Sequence, residues 1–177
     1  VSNNIGGSIT SYTQTNLEDS SYIYSIYAID AFGNTSNAGL STTLNIDTTA
    51  PGAPTLVASA SGSTIQLSWN VPSGTDKFVL KRSQNGGIES AVSNNIDGSI
   101  TSYTNTNLED GSYIYSIYAI DAFSNISNVG LSATLNIDTT PPAKPSDLSI
   151  TSSNATAILN WTNPSTDFAS IKILKRT

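Results

Sequence analysis

The chain has 177 residues, seven basic and 13 acidic side chains, a formal net charge of −6, and no histidine, cysteine or methionine. Without histidine it lacks the usual general base and the commonest transition-metal ligand, and without cysteine it has no disulfide, thiolate nucleophile or zinc–thiolate site. The acidic balance disfavours nucleic acid, whose phosphates call for clustered Lys and Arg, and no apolar run approaches the roughly 18 residues of a membrane span.

Taken in order, short stretches alternate apolar and polar residues and are rich in Ile, Val, Thr and Tyr, the pattern of half-buried strands. The first predicted strand is Ser8 to Tyr12. Tyr22, Tyr24, Ile26 and Ala28 share one face of the next, and Leu40 to Ile46 forms another. Asp47-Thr48-Thr49-Ala50-Pro51-Gly52-Ala53-Pro54 then reads as a joint, because proline fixes φ and favours a stiff, extended connection. Beyond it, Thr64 to Trp69 places Ile65, Leu67 and Trp69 on one face, and Lys77 to Arg82 is a further strand. Tyr113, Tyr115, Ile117 and Ala119 repeat the earlier aromatic face. A second proline joint, Asp138-Thr139-Thr140-Pro141-Pro142-Ala143-Lys144-Pro145, leads into Leu159 to Pro164. In the last predicted strand either Ile171 and Ile173 or Lys172 and Leu174 point inward, the apolar pair being favoured. No window sustains a helical period. Strands of this length at this spacing predict an all-β, two-sheet sandwich.

Residues 1–47 return as residues 92–138, a period of 91 (92 − 1). The seven differences are Gly6/Asp97, Gln14/Asn105, Ser20/Gly111, Gly33/Ser124, Thr35/Ile126, Ala38/Val129 and Thr42/Ala133. Repeats of this kind mark arrays, in which function often follows from length and multiplicity. A module near 90 residues can bury enough core to dispense with disulfides, so the lack of cysteine is compatible with an extracellular address. The absent initiator methionine is expected of a mature, excised or partial chain.

The order of these signals resembles a fibronectin type III domain of the bacterial, extracellular kind. One carrier is the tryptophan in Leu67-Ser68-Trp69-Asn70-Val71-Pro72 and in Leu159-Asn160-Trp161-Thr162-Asn163-Pro164. The other is Leu17 to Asp30 with its copy Leu108 to Asp121, similar to that family's turn and strand F. The resemblance implies that Trp69 and Trp161 are core residues of strand B. It also makes Tyr22 and Tyr113 the corner tyrosines, whose hydroxyls tie strand F to the preceding loop. Five residues separate Leu17 from Tyr22, one fewer than usual, which leaves the corner open to alteration. Asp30-Ala31-Phe32-Gly33-Asn34 resembles the F–G turn. In this frame residues 51–141 form one complete sandwich. Residues 1–50 supply only strands C′, E, F and G of a preceding domain, and residues 142–177 only A, B and C of a following one. Half-domains expose a core face and unpaired edges. The simpler expectation is that these ends mark where a longer array was cut, and the alternative is that residues 142–177 of one molecule complete residues 1–50 of the next, head to tail and openly propagating. All seven Lys and Arg lie in 51–91 or 142–177, leaving 1–47 with a net charge of −4 from Glu18, Asp19, Asp30 and Asp47.

No catalytic constellation and no cofactor site is recognisable. Glu18-Asp19 and Glu109-Asp110 read as solvated turns, and Lys77, Lys81, Lys172 and Lys175 as exposed. Calcium, which takes oxygen ligands, is the alternative chemistry, with Asp30, Asn34, Asp47, Asp121, Asn125 and Asp138 as candidate ligands and Glu18 nearby. The simpler reading has Asp30 and Asn34 shaping a turn through side-chain-to-backbone bonds. Tyr27 and Tyr118 face outward, and Asn34, Asn125, Asn154 and Asn160 head Asn-x-Ser/Thr glycosylation sequences. Two functions follow. The first is a non-enzymatic stalk, spacer or filament subunit of a microbial surface, whose partners are neighbouring repeats or copies of itself. The second is an accessory module that binds glycan or protein beside a secreted carbohydrate-active enzyme. A line of exposed aromatics on one face would favour binding, and bare polar faces the spacer.

Overall fold

In a computed structural model residues 4–176 are described, and they contain strands and turns with no helix. Residues 1–3 and 177 of the expected outer segments lie outside the described residues. The strands are β1 (Ser20–Tyr22), β2 (Ser25–Ile26), β3 (Gly39–Leu40), β4 (Leu44–Ile46), β5 (Leu56–Ser61), β6 (Thr64–Trp69) and β7 (Lys77–Gln84). They continue as β8 (Ser90–Asp97), β9 (Ser102–Asn105), β10 (Gly111–Ile120), β11 (Gly130–Leu131), β12 (Leu135–Ile137), β13 (Ser146–Ser153) and β14 (Thr156–Thr162).

Between Leu56 and Ile137 two antiparallel sheets face one another. One runs β5-β6-β9, and the other runs β8-β7-β10, with β11 and β12 both on the far edge of β10. This is the fibronectin type III-like sandwich that the sequence resemblance implied. Period-2 alternation puts Ile65, Leu67 and Trp69 of β6 inward against Phe78 and Leu80 of β7 and Tyr113, Tyr115, Ile117 and Ala119 of β10. Trp69 meets Phe78 edge to face, with ring centroids 5.7 Å apart. Gly130 is required by a close approach, because a Cβ there would stand 2.2 Å from the Pro54 carbonyl oxygen.

Several expectations are corrected. Leu40 to Ile46 is not one strand, and neither is its copy: each breaks into two short pieces (β3 and β4, β11 and β12). At the break Ser132 accepts the Tyr115 backbone N–H on its hydroxyl oxygen at 2.9 Å and donates that hydroxyl to the Ala133 carbonyl. A side chain thus replaces a rung of the ladder. Ser8 to Tyr12 forms no strand, whereas the later copy contributes β9, which lies against β6. No strand forms over Ile171 to Arg176, where Ile171 is half-buried and Ile173 and Leu174 are exposed. Trp161 sits half-buried on a two-stranded hairpin, β13–β14, with no second sheet over it among the described residues. Lys77 and Lys81 are half-buried, Lys81 lying 4.9 Å above the Tyr118 ring.

Candidate functional site: the joint between repeats

The two corner tyrosines form the bonds expected of them despite the shortened spacing. Tyr113 donates its hydroxyl to the Glu109 carbonyl at 2.8 Å, and Tyr22 does the same to Glu18 at 2.8 Å. The turn fits because Asn107 and Asn16 adopt positive φ (57° and 55°), which asparagine tolerates. Leu108, next in line, is buried and its N–H bonds the Ser63 carbonyl, while Leu17 is half-buried.

The turn also aims an aspartate at the outgoing joint, a contact missed at the sequence level. Asp110 accepts the Thr139 N–H at 2.8 Å and the Thr139 hydroxyl at 2.7 Å on Oδ1, and the Thr140 hydroxyl on Oδ2. Asp19 repeats this with Thr48 N–H (2.8 Å), the Thr48 hydroxyl (2.8 Å) and the Thr49 hydroxyl (2.6 Å). A second aspartate closes each joint from within, as Asp47 accepts the Thr49 N–H and Asp138 that of Thr140. The Thr140 hydroxyl, followed by that of Thr139, holds the Asp110 carboxyl below its ordinary value, and Thr49 then Thr48 do so for Asp19. Both carboxylates are exposed, so Glu18-Asp19 and Glu109-Asp110 are solvated turns with a structural duty. The readable signal was the recurrence of Glu-Asp and of Asp-Thr-Thr at one common period.

The incoming side of the joint is the F–G turn. Asp121 accepts the N–H groups of Phe123 and Asn125 on Oδ1, and the Asn125 side-chain amide on Oδ2 at 2.8 Å. Burial pushes the Asp121 carboxyl up, but the Asn125 amide and the backbone N–H groups outweigh it and leave the net shift downward. Asn125 also donates to the Asp47 carbonyl at 3.0 Å, joining this turn to the preceding linker across 78 residues of chain. Pro51 and Pro54 are buried just beyond it. Asp30 and Asn34 form the same turn with the same 2.8 Å side-chain bond.

The calcium candidates therefore come together in pairs and not as a cage. Asp30 with Asn34 and Asp121 with Asn125 close turns, Asp47 and Asp138 cap backbone N–H groups, and among the described residues no three acidic side chains converge. The outer face of β5-β6-β9 carries the rows Val57–Ser68–Ser102 and Ser59–Gln66–Thr104, which hold no aromatic ring and no charge. Outward Tyr118 is covered by Lys81. Among the described residues no helix is long and apolar enough to cross a membrane.

No family profile matches the chain. It is 30% identical over 89% of its length to exoglucanase B of Cellulomonas fimi, of which it spans 16%. It is 33% identical over 48% of its length to the amylopullulanase of Thermoanaerobacterium saccharolyticum, of which it spans 7%. Among solved structures, an Fn3-like protein from Clostridium thermocellum is 27% identical with a TM-score of 0.37, aligning 51% of this chain with 91% of that one.

Proposed function

We propose that this chain is a non-catalytic, extracellular spacer in which sandwich modules are set in series by hydrogen-bonded joints. Residues 51–141 act as one module, and residues 1–50 and 142–177 as parts of neighbouring modules of the same kind. The observation that carries this reading is the joint. Its exit is gripped by Asp19 or Asp110, and at the described entry the side chain of Asn125 holds the Asp47 carbonyl. Such a joint resists bending more than a bare linker would, because each bond removes a rotational freedom that the chain otherwise retains.

The likeness to an exoglucanase and an amylopullulanase, each far longer than this chain, supports a spacer role within a carbohydrate-active polypeptide. There the array would hold catalytic or binding parts at a distance. The same likeness favours a second reading, an accessory module that itself binds polysaccharide. Depletion of the chain from solution by insoluble cellulose and by starch separates the two. The spacer reading expects the free concentration to stay unchanged, and saturable depletion overturns it in favour of binding. Small-angle scattering checks the joint: Asn125→Ala is expected to broaden the distribution of interatomic distances, and an unchanged distribution means the joint is not what sets the spacing.

A further inference from the structure

We infer that residues 1–170 are closed to endoproteases that cut after lysine or arginine, because each basic residue among them stands where the bond after it cannot be cut. Such enzymes seat a cationic side chain in an acidic primary pocket. They nick folded proteins at exposed loop tips, where the backbone can be drawn into the active site.

Residues 1–76 hold no lysine or arginine, and neither do residues 83–143. Those stretches include the first joint, the tip between β7 and β8, the corner before β10 and the F–G turn, the bends at which a protease would start. The three cations of residues 51–141 lie instead on β7, which is flanked on both sides by β10 and β8. Lys77 is paired with Ile120 and Asp97, Lys81 with Ser116 and Ala91, and Arg82 with Tyr115 and Ser90. Phe78 and Leu80, which lie between these cations, are 0% exposed. Lys81 rests over the Tyr118 ring, and Arg82 lies 5.4 Å from the ring of Tyr113, so both side chains are held along the sheet. Presenting any of the three bonds means pulling β7 from between its neighbours and opening the core. Cutting there follows the population of the opened form.

The fourth cation, Lys144, is exposed and lies outside any strand, in the second joint. It is the one basic residue in either joint, and Pro145 follows it. The bond between them is a tertiary amide whose nitrogen carries no N–H and whose ring fixes φ. The leaving side therefore lacks the donor and the freedom of an ordinary peptide. A cation occurs in a joint only where its own bond is blocked.

Trypsin acting on the folded 177-residue chain, with the fragments read by mass, tests this. The bonds after Lys77, Lys81, Arg82 and Lys144 are expected to stay whole while the core is folded, and early cutting at any of the four overturns the inference. Two variants separate placement from general rigidity. Ile88→Lys puts a cation on the tip between β7 and β8, where Ile88 is 96% exposed. Cutting after position 88 is expected well before any of the four native bonds, and survival of that bond would mean that the fold resists wherever a cation sits. Pro145→Ala keeps Lys144 and removes the block, so cutting in the joint is expected, and an uncut joint overturns the part assigned to proline. Ile117→Ala weakens the core and should speed cutting on β7 by more than about tenfold. An unchanged rate would show that β7 opens without the core. None of these readouts involves polysaccharide or the stiffness of the joint, so failure here and failure of the spacer reading are told apart.

Discussion

Residues 4–47 and 95–138 put nearly the same sequence in two environments. In both, the F–G turn closes with an aspartate–asparagine pair, the tyrosine hydroxyl reaches back four residues, and a serine hydroxyl interrupts the edge strand. In both, a further hydroxyl pairs at long range within the segment, Tyr24 with Gln14 at 3.0 Å and Tyr115 with Asn105 at 2.9 Å, although the amide partner differs. What differs is length and burial. The ten-residue strand β10 has only two fragments, β1 and β2, as its counterpart, and Ile29 is 58% exposed where Ile120 is 9%. β10 pairs along eight residues with β7, and β1 and β2 have no such neighbour among the described residues. Turns and short hairpin contacts are thus properties of the local sequence. A continuous strand and a core require a second segment to pair and pack against.

The comparison can be broken most severely at the central isoleucine. Ile117→Ala is expected to cost about 2–5 kcal/mol in urea unfolding, because it removes buried methyl groups and leaves a cavity. Ile26→Ala, measured on monomer at low concentration, should lie within about 0.5 kcal/mol of the parent. Equal effects would mean that both copies are packed alike. Next comes the corner: Tyr113→Phe loses one hydrogen bond inside the sandwich and should cost about 1 kcal/mol, whereas Tyr22→Phe should be close to silent in the same thermal scans. A gain of similar size is open at Trp69, whose indole N–H is buried without a partner, while Trp161 donates to Asn163 at 2.8 Å. Val71 occupies the position matching Asn163, so Val71→Asn is expected to stabilise residues 51–141 by about 1 kcal/mol. A loss of stability there would show that Val71 packs more than its exposure indicates.

The smallest effect concerns the joint. The Asp110 carboxyl titrates below its ordinary value of 3.8 when folded. The stability it lends is therefore present above that value and is lost as pH falls through the depressed folded one. Asp110→Asn should lower the melting temperature slightly at neutral pH, and the gap to the parent should close on acidification. A gap that persists at low pH would assign the effect to geometry and not to charge.

Much of this was legible in the chain. Alternation marked β6 and β10 with their inward faces and β7 as a strand, because a half-buried strand must alternate whatever surrounds it. The paired Asp and Asn of the F–G turn were legible because a side-chain-to-backbone bond spans only a few residues. The grip of Asp110 on Thr139 and Thr140 was not, since 29 and 30 residues separate the partners and only the fold of β10 against β12 brings them together. Nor could pattern alone tell Trp69 from Trp161, which sit in similar Leu-x-Trp strands. One is sealed by β7 and β10, and the other has only its hairpin among the described residues. The amino-acid sequence determined which side chains would face a core and how each turn closes. Whether a given copy of those residues has a core was decided by tertiary structure, because burying apolar surface takes a partner sheet that local bonding does not supply.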